Sequence, residues 1–366
     1  MKTKFKINKT IIFSLIMLFI ISVISIYSTL DYISVNDNIL VKQIIFYIVG
    51  FFLIGILLII KKDFFIKHAF LIYLLNIFLL LYVLIFGSYI NGSRAWIEIP
   101  IIGSIQPSEF MKIGLILFLA KTIDNSIKNG GGDIKIIIKC IIIFLIPTIL
   151  TFLEPDTGAV LVYFIITVIM LFTSGIKKRW FIILFASVFL MLFGIIYLFY
   201  FEKDLFIKIL GSNFFYRLDR IFDWTKSSGM QLENSIISIA SGSLFGHGFN
   251  RIPIYFPELQ TDFVFASFVS CYGLVGALVL FILFIVFDNA ILNVGKRKEL
   301  IDKLITSGVV GVLLYQQIQN TAMTIGILPI TGITLPFISY GGSSLLSVMI
   351  LIGIVLNIDK NRKTTF

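Results

Sequence analysis

Long uncharged runs of Ile, Leu and Phe, most of them about 17–25 residues, recur from end to end of the chain, and no other feature restricts its fold as strongly. A helix of that length crosses a hydrocarbon core of roughly 30 Å, where every backbone N–H and C=O must be satisfied internally. A closed barrel would need short alternating strands instead, a pattern these runs lack. With 58% of its 366 residues hydrophobic and 14% charged, the chain reads as an all-α polytopic membrane protein. Hydropathy predicts about ten transmembrane helices, at 10–29, 42–60, 68–87, 107–121, 136–153, 158–174, 179–200, 262–287, 304–327 and 335–358, the fourth being the shortest. The leading MKTKFKINKT resembles the start of a signal peptide. The apolar run behind it is too long and has no small-residue cleavage site, so it is expected to stay as the first span.

A formal net charge of +10 raises nucleic acid as a partner, but the basic residues sit in short clusters between apolar runs, as topology signals do. No nucleic-acid partner is expected. Placing both termini in the cytoplasm puts 21 of the 30 Lys and Arg residues inside, among them Lys2, Lys4, Lys6, Lys61, Lys62, Lys67, Arg297, Arg362 and Lys363. The short outer loops then keep just Lys42 and Arg94. Residues 201–261 become a large extracellular loop between helices 7 and 8, inside a single transmembrane domain spanning 1–366. Its first half, DLFIKILGSNFFYRLDRIFDW, alternates apolar and charged residues at helical spacing and is expected to lie along the membrane lipids. No internal repeat or inverted half is visible. Cys140 and Cys271 fall in apolar runs without CxxC spacing, and His68 and His247 are the two histidines, so any cation would need carboxylate ligands.

Ionisable groups in or against spans are costly and therefore mark candidate sites. In IQPSEFMKIGLILFLA, Glu109 and Lys112 share a helix face just after Pro107, which suits a first turn. They are either a self-neutralising pair or part of a polar cavity, with Arg94 of NGSRAWIEI nearby. In FLEPDTGAV, Glu154 and Asp156 sit in an outer turn, where Asp156 is a helix cap, a functional group, or both. Gly341, Gly342, Ser343 and Ser344 permit either close helix packing or backbone facing a polar ligand. In FPELQTDFVFA, Asp262 opens a span with Glu258 four residues earlier, so that both would share one side if the helix begins early. Asp262 is a helix-start cap or a base at the membrane surface.

These stretches, with NSIISIASGSLFGHGF and MTIGILPITGITLPFISYGGSSLLS, resemble in order, from about residue 90 to 350, the SEDS family (shape, elongation, division and sporulation). This is the RodA, FtsW and SpoVE type of peptidoglycan glycosyltransferase, and the short tails and MTIGILPITGI are most like RodA. The resemblance implies ten transmembrane helices in a bacterial plasma membrane and polymerisation of lipid II, an undecaprenyl-pyrophosphate disaccharide-peptide, at the outer face. It implies that Asp262, in the TDF motif, is the essential acid, which fits a general base for an inverting transfer. Arg94, Lys112 or a divalent cation, Mg or Mn, would meet the leaving pyrophosphate; Glu109, Asp156, Glu258 and Ser343 would orient these groups or the substrate, with no organic cofactor. A class B penicillin-binding protein is the implied partner, in cell elongation, division or sporulation. The chain departs from the family pattern at Ser270 and Cys271, often acidic, at Gln260 for His, at His247 for a basic residue and at Thr334 for Pro. A lipid II flippase and a non-catalytic transpeptidase scaffold are the rival readings.

Overall fold

Each predicted apolar segment becomes a helix, and local chemistry marks where three of them start, at Asn8, Pro107 and Asp156. The computed structural model describes residues 7–32, 38–90, 93–99, 103–212, 214–216, 219, 229–296 and 298–360. The basic residues Lys2, Lys4, Lys6, Arg297, Arg362 and Lys363 and most of 217–228 in the outer loop lie outside the described residues. The helices are α1 Lys9–Tyr27, α2 Ile39–Ile59, a short α3 Lys62–Lys67, α4 Ala69–Phe86, α5 Pro107–Lys128, α6 Asp133–Leu153, α7 Thr157–Thr173 and α8 Lys178–Phe201. After them come α9 Lys203–Leu210, α10 Gly229–Ser241, α11 Val264–Gly295, α12 Leu300–Thr324 and α13 Gly342–Lys360. Asn8 caps α1 by accepting from the Thr10 N–H at 3.0 Å, and Pro107 starts α5 where no N–H is needed.

Seven of these helices are long and apolar enough to cross a membrane, and Thr157–Thr173 is a shorter apolar helix. The two remaining predicted spans, α5 and α12, carry more polar side chains because they are packed inside the protein: Lys112, Asp124, Gln316, Gln317, Gln319 and Asn320 are all buried. α13 is central too, with 78% of its span window buried, whereas none of that of α8 is. α8 packs chiefly on α9 through Phe199, Phe206 and Phe215, so its apolar surface is left for lipid. α2 and α13 approach closely at Gly50 and Gly353, where an added Cβ would stand 2.8 Å from Met349 Cγ and 2.5 Å from Leu57 Cδ1.

Several departures from the hydropathy reading have a physical reason. α5 runs to Lys128, since Asp124 pairs with Lys128 at 2.6 Å and carries the helix past the apolar stretch. The outer connection between α4 and α5 is a small antiparallel sheet, β1 Ser88–Ile90, β2 Ser93–Ile99 and β3 Gly103–Ile105, with Ile97 opposite Ile105. The last predicted span loses its first turns: residues 335–341 are not helical, and the carbonyls of Phe337, Ile338 and Ser339 accept from Tyr47, Ser22 and Gln43 instead. Irregular backbone at that depth is tolerable because protein donors satisfy it.

The eighth predicted span also differs, starting at Val264 and breaking at Gly273, whose φ of 63° is left-handed. Residues 243–248 fill the break. The His247 and Gly248 N–H groups donate to Ser270 and Cys271 oxygens at 3.0 Å, and those of Leu274 and Val275 to Ser243 and Leu244 oxygens at 3.0 and 3.1 Å. Gly246 (φ 77°) is required there, because a Cβ would lie 2.2 Å from the Cys271 oxygen.

Candidate active site

A cavity of about 570 Å³ opens among the first turns of α5 and α7, the last turns of α12, the sheet, and the 257–262 and 331–344 segments. These are the outer ends of the helices in the orientation set by the basic residues. Glu109, Lys112, Asp156, Glu258, Asp262 and Ser343 all line it. Arg94 does not: it is exposed on β2 and donates Nε–H to the Gly87 oxygen at 3.0 Å, while Ser93 and Trp96 contribute the strand's share of the wall.

Three of the four cavity carboxylates are engaged by protein donors. Asp156 caps α7 through the Ala159 N–H at 3.0 Å, and its other oxygen accepts from Gln106 Nε2 at 2.8 Å and Ser108 Oγ at 2.9 Å. It is therefore a cap and a cavity group together, and burial raises its pKa against those bonds. Glu109 pairs with Lys112 and accepts from Ser347 Oγ at 3.1 Å; the Lys112 side chain is 1% exposed. The pair is both self-neutralising and cavity-lining. Glu258 accepts from Thr261 Oγ1 at 2.6 Å.

Asp262 is the fourth, and its carboxylate has no side-chain hydrogen bond among the described residues. Glu258 and Asp262 sit on successive turns ahead of α11 rather than on an early helix turn, because Glu258 has a left-handed φ of 59° and its carbonyl receives the Thr261 and Phe263 N–H groups. The N-cap position belongs to Phe263, with no side-chain cap bond, so the cap reading of Asp262 fails. Burial, and then the charge of Glu258, push the Asp262 carboxyl up to about 7.

The loop carrying Asp262 is fastened by side chains the sequence reading passed over. Asn320 on α12 donates to the Asp262 and Ile333 oxygens, both at 2.8 Å, and Ser339 Oγ donates to the Thr261 oxygen at 2.6 Å. Gln319 holds Pro329 O and Thr331 Oγ1 at 3.1 Å. The amides of QQIQN in a span otherwise rich in apolar residues were the available signal. Ser343 Oγ receives the Gln106 N–H at 3.0 Å and so joins α13 to the start of α5. Thr334 and Ser344 share a hydroxyl bond of 2.7 Å at the cavity wall.

Of the other motif residues, Glu154 is buried and is not part of the cavity lining, and both its oxygens lack a partner among the described residues. Burial and the nearby Asp156 push it up to about 8. Ser270, Cys271 and His247 belong to the α11 break, not to the cavity.

Among the described residues no three His, Cys, Asp or Glu gather as a metal site. Asp156 accepts on both oxygens, and Glu109 takes Lys112 and Ser347 on one oxygen and is charge-paired by Lys112, which leaves Glu258 and Asp262 as the carboxylates without a cationic partner. Two carboxylates are few for a protein-built cage, but they suit Mg²⁺ or Mn²⁺ shared with water and substrate phosphates.

The family model for the FtsW/RodA/SpoVE cell cycle proteins matches residues 4–364. A probable peptidoglycan glycosyltransferase FtsW of Wigglesworthia glossinidia brevipalpis is 34% identical over 332 residues, 87% of this chain and 83% of its own. Stage V sporulation protein E of Bacillus subtilis is 32% identical over 295 residues, 77% of this chain and 76% of its own. In fold, the chain is similar to one from a peptidoglycan synthase complex solved in a study of polymerization and crosslinking, with TM-score 0.78 at 24% identity over 97% of this chain and 98% of that one. The rod shape determining protein RodA of Thermus thermophilus gives TM-score 0.70 at 24% identity, over 97% of each chain. A match over nearly the whole length and relatives above 30% identity place this chain in the FtsW/RodA/SpoVE family of membrane-embedded cell cycle proteins.

Proposed function

We propose that the protein is a peptidoglycan glycosyltransferase that polymerises lipid II at the outer face of the bacterial plasma membrane, with Asp262 as its general base. The observation that carries this reading is the placement of Asp262: a carboxylate with no hydrogen-bonded partner among the described residues, on the wall of an outer polar cavity, with its pKa moved close to neutral. A base of that kind takes a proton best near the operating pH. Relatives bearing the glycosyltransferase name supply the reaction class.

In the proposed step the 4-hydroxyl oxygen of the acceptor sugar attacks the anomeric carbon of the donor. The bond from that carbon to the pyrophosphate oxygen breaks with inversion, the hydroxyl proton passes to Asp262, and the lipid pyrophosphate leaves. A single displacement of this kind needs one base and no covalent nucleophile. Lys112, held against Glu109 in the cavity wall, supplies fixed positive charge toward the leaving group. Glu258 and one oxygen of Asp262 are the residues that would hold Mg²⁺ or Mn²⁺, whose chemistry when bound is to neutralise the pyrophosphate. Asp156 and Ser343 fix the cavity walls, and Arg94, outside the cavity, is left to the outer surface or the lipid headgroups.

Ten spans, both termini in the cytoplasm, a large extracellular loop over 201–261 and a single domain complete the proposal. The partner is a class B penicillin-binding protein, and the setting is cell elongation, with division and sporulation the alternatives that the names of the relatives bring. Incubating purified protein and its cognate transpeptidase with lipid II tests the reading. Strands that a β-1,4-muramidase digests are expected, whereas none, with lipid II moved across vesicle bilayers instead, would replace it with the flippase.

A further inference from the structure

On α12, Gln316, Gln319 and Asn320 face the outer cavity region as a short row of side-chain amides. Gln319 and Asn320 are spent on the protein, each donating twice to the loops around Asp262. Gln316 is not. It forms part of the cavity wall, is 2% exposed, and its Oε1 is sealed from solvent with no hydrogen-bond partner among the described residues. An amide oxygen left so is unfavourable in the free protein. The Nε2 end is not sealed in this way and is the one left toward the cavity, and the broad last torsion of glutamine lets the two ends exchange if a ligand offers a donor instead.

We infer that Gln316 is a substrate-contact residue, and that its amide reads an uncharged saccharide group, a sugar hydroxyl, at the cavity floor. A hydroxyl both donates and accepts, and so answers either orientation of the amide. The charged end of the substrate has other partners. Lys112 and Lys42 carry the cationic charge of the cavity lining and suit pyrophosphate, whereas a neutral amide adds nothing to a dianion that a lysine or cation would not do better. A buried amide built to pair with a hydroxyl also rejects ligands lacking it, because its own polar atoms then stay unpaired. This inference rests on the proposed polymerase reading for the identity of the sugar.

The test compares wild type with Gln316→Met, a side chain of similar length and no amide, in the full chain with its partner. Lipid II is titrated, undecaprenyl pyrophosphate is used as inhibitor, and thermal stability is measured without ligand. The expected result is a KM for lipid II raised about 2–13-fold, the loss of one neutral hydrogen bond, with kcat little changed. The inhibition constant for undecaprenyl pyrophosphate stays at the wild-type value, and the ligand-free midpoint does not fall, since an orphaned polar atom has been removed. An unchanged KM overturns the inference. So does an equal loss of undecaprenyl pyrophosphate binding, which would give Gln316 to the pyrophosphate, or a lower midpoint with kcat and KM both damaged, which would make it a packing residue. If the wild type makes no strands, the polymerase reading fails first; direct binding of lipid II to the two proteins then still decides the contact.

Discussion

Asn320→Leu should disable the site without emptying it. Asn320 is fully buried and its two N–H groups bridge the Asp262 and Ile333 carbonyls at 2.8 Å, tying the loop that carries the base to the neighbouring 331–334 segment. Leucine keeps the volume and removes both bonds. Each is worth about 0.5–1.5 kcal/mol net, so roughly 1–3 kcal/mol of local stability is lost; relief of the unpaired Asn320 Oδ1 offsets part of it. That is too little to unfold a bundle of this size, but enough to release the Asp262 loop from one position. A displacement of about 1 Å at a reacting group costs on the order of 10²-fold in rate. The assay is initial strand formation from lipid II, with monodispersity and thermal midpoint as controls. A folded Asn320→Leu protein with wild-type kcat would refute the claim that this bridge positions the base.

Further outcomes follow from the same geometry. Asp262 must be anionic to accept a proton, and burial with Glu258 raises its pKa to about 7, so kcat should climb about tenfold between pH 6 and 8; Glu258→Gln should move the midpoint downward, as read from the pH–rate profile. Lys112→Met strands Glu109 in the wall and removes the cavity's buried cation, and strand formation should fall at least about 10²-fold with a lowered thermal midpoint. Arg94→Ala, exposed and away from the cavity, should change the rate by less than about twofold. Gly246→Ala puts a Cβ 2.2 Å from the Cys271 oxygen at a left-handed φ, and should destabilise the α11 break, seen as a lower midpoint and faster exchange of the Leu274 amide.

Much of the fold was legible because a bilayer permits few structures: a run of about twenty apolar residues is already a helix assignment. What misled were the places where protein, not lipid, surrounds the backbone. Residues 335–341 read as helix by hydropathy, but Tyr47, Ser22 and Gln43 satisfy their carbonyls, and no local pattern reveals donors nearly 300 residues away. The break at Gly273 depends in the same way on residues 243–248.

At the site, the charged residues stood out against an apolar background, and five of them, Glu109, Lys112, Asp156, Glu258 and Asp262, line one cavity together with Ser343. Arg94 lies outside the cavity lining, because closeness in sequence to the α5 motif says nothing about which side chains of a short sheet face inward. Asn320 and Gln316 carry no charge, and their importance comes from what they do or do not bond to, which a sequence cannot display.

The measurement that bears most directly on the account is lipid II polymerisation by wild type and by Asp262→Asn, each with the cognate transpeptidase and each shown to be folded. Asparagine keeps the size and hydrogen-bonding shape of the side chain but cannot take a proton. The account predicts glycan strands from the wild type and a loss of at least about 10²-fold in the variant across the pH range. Equal strand formation by both would contradict it, leaving Asp262 without a role in the chemistry.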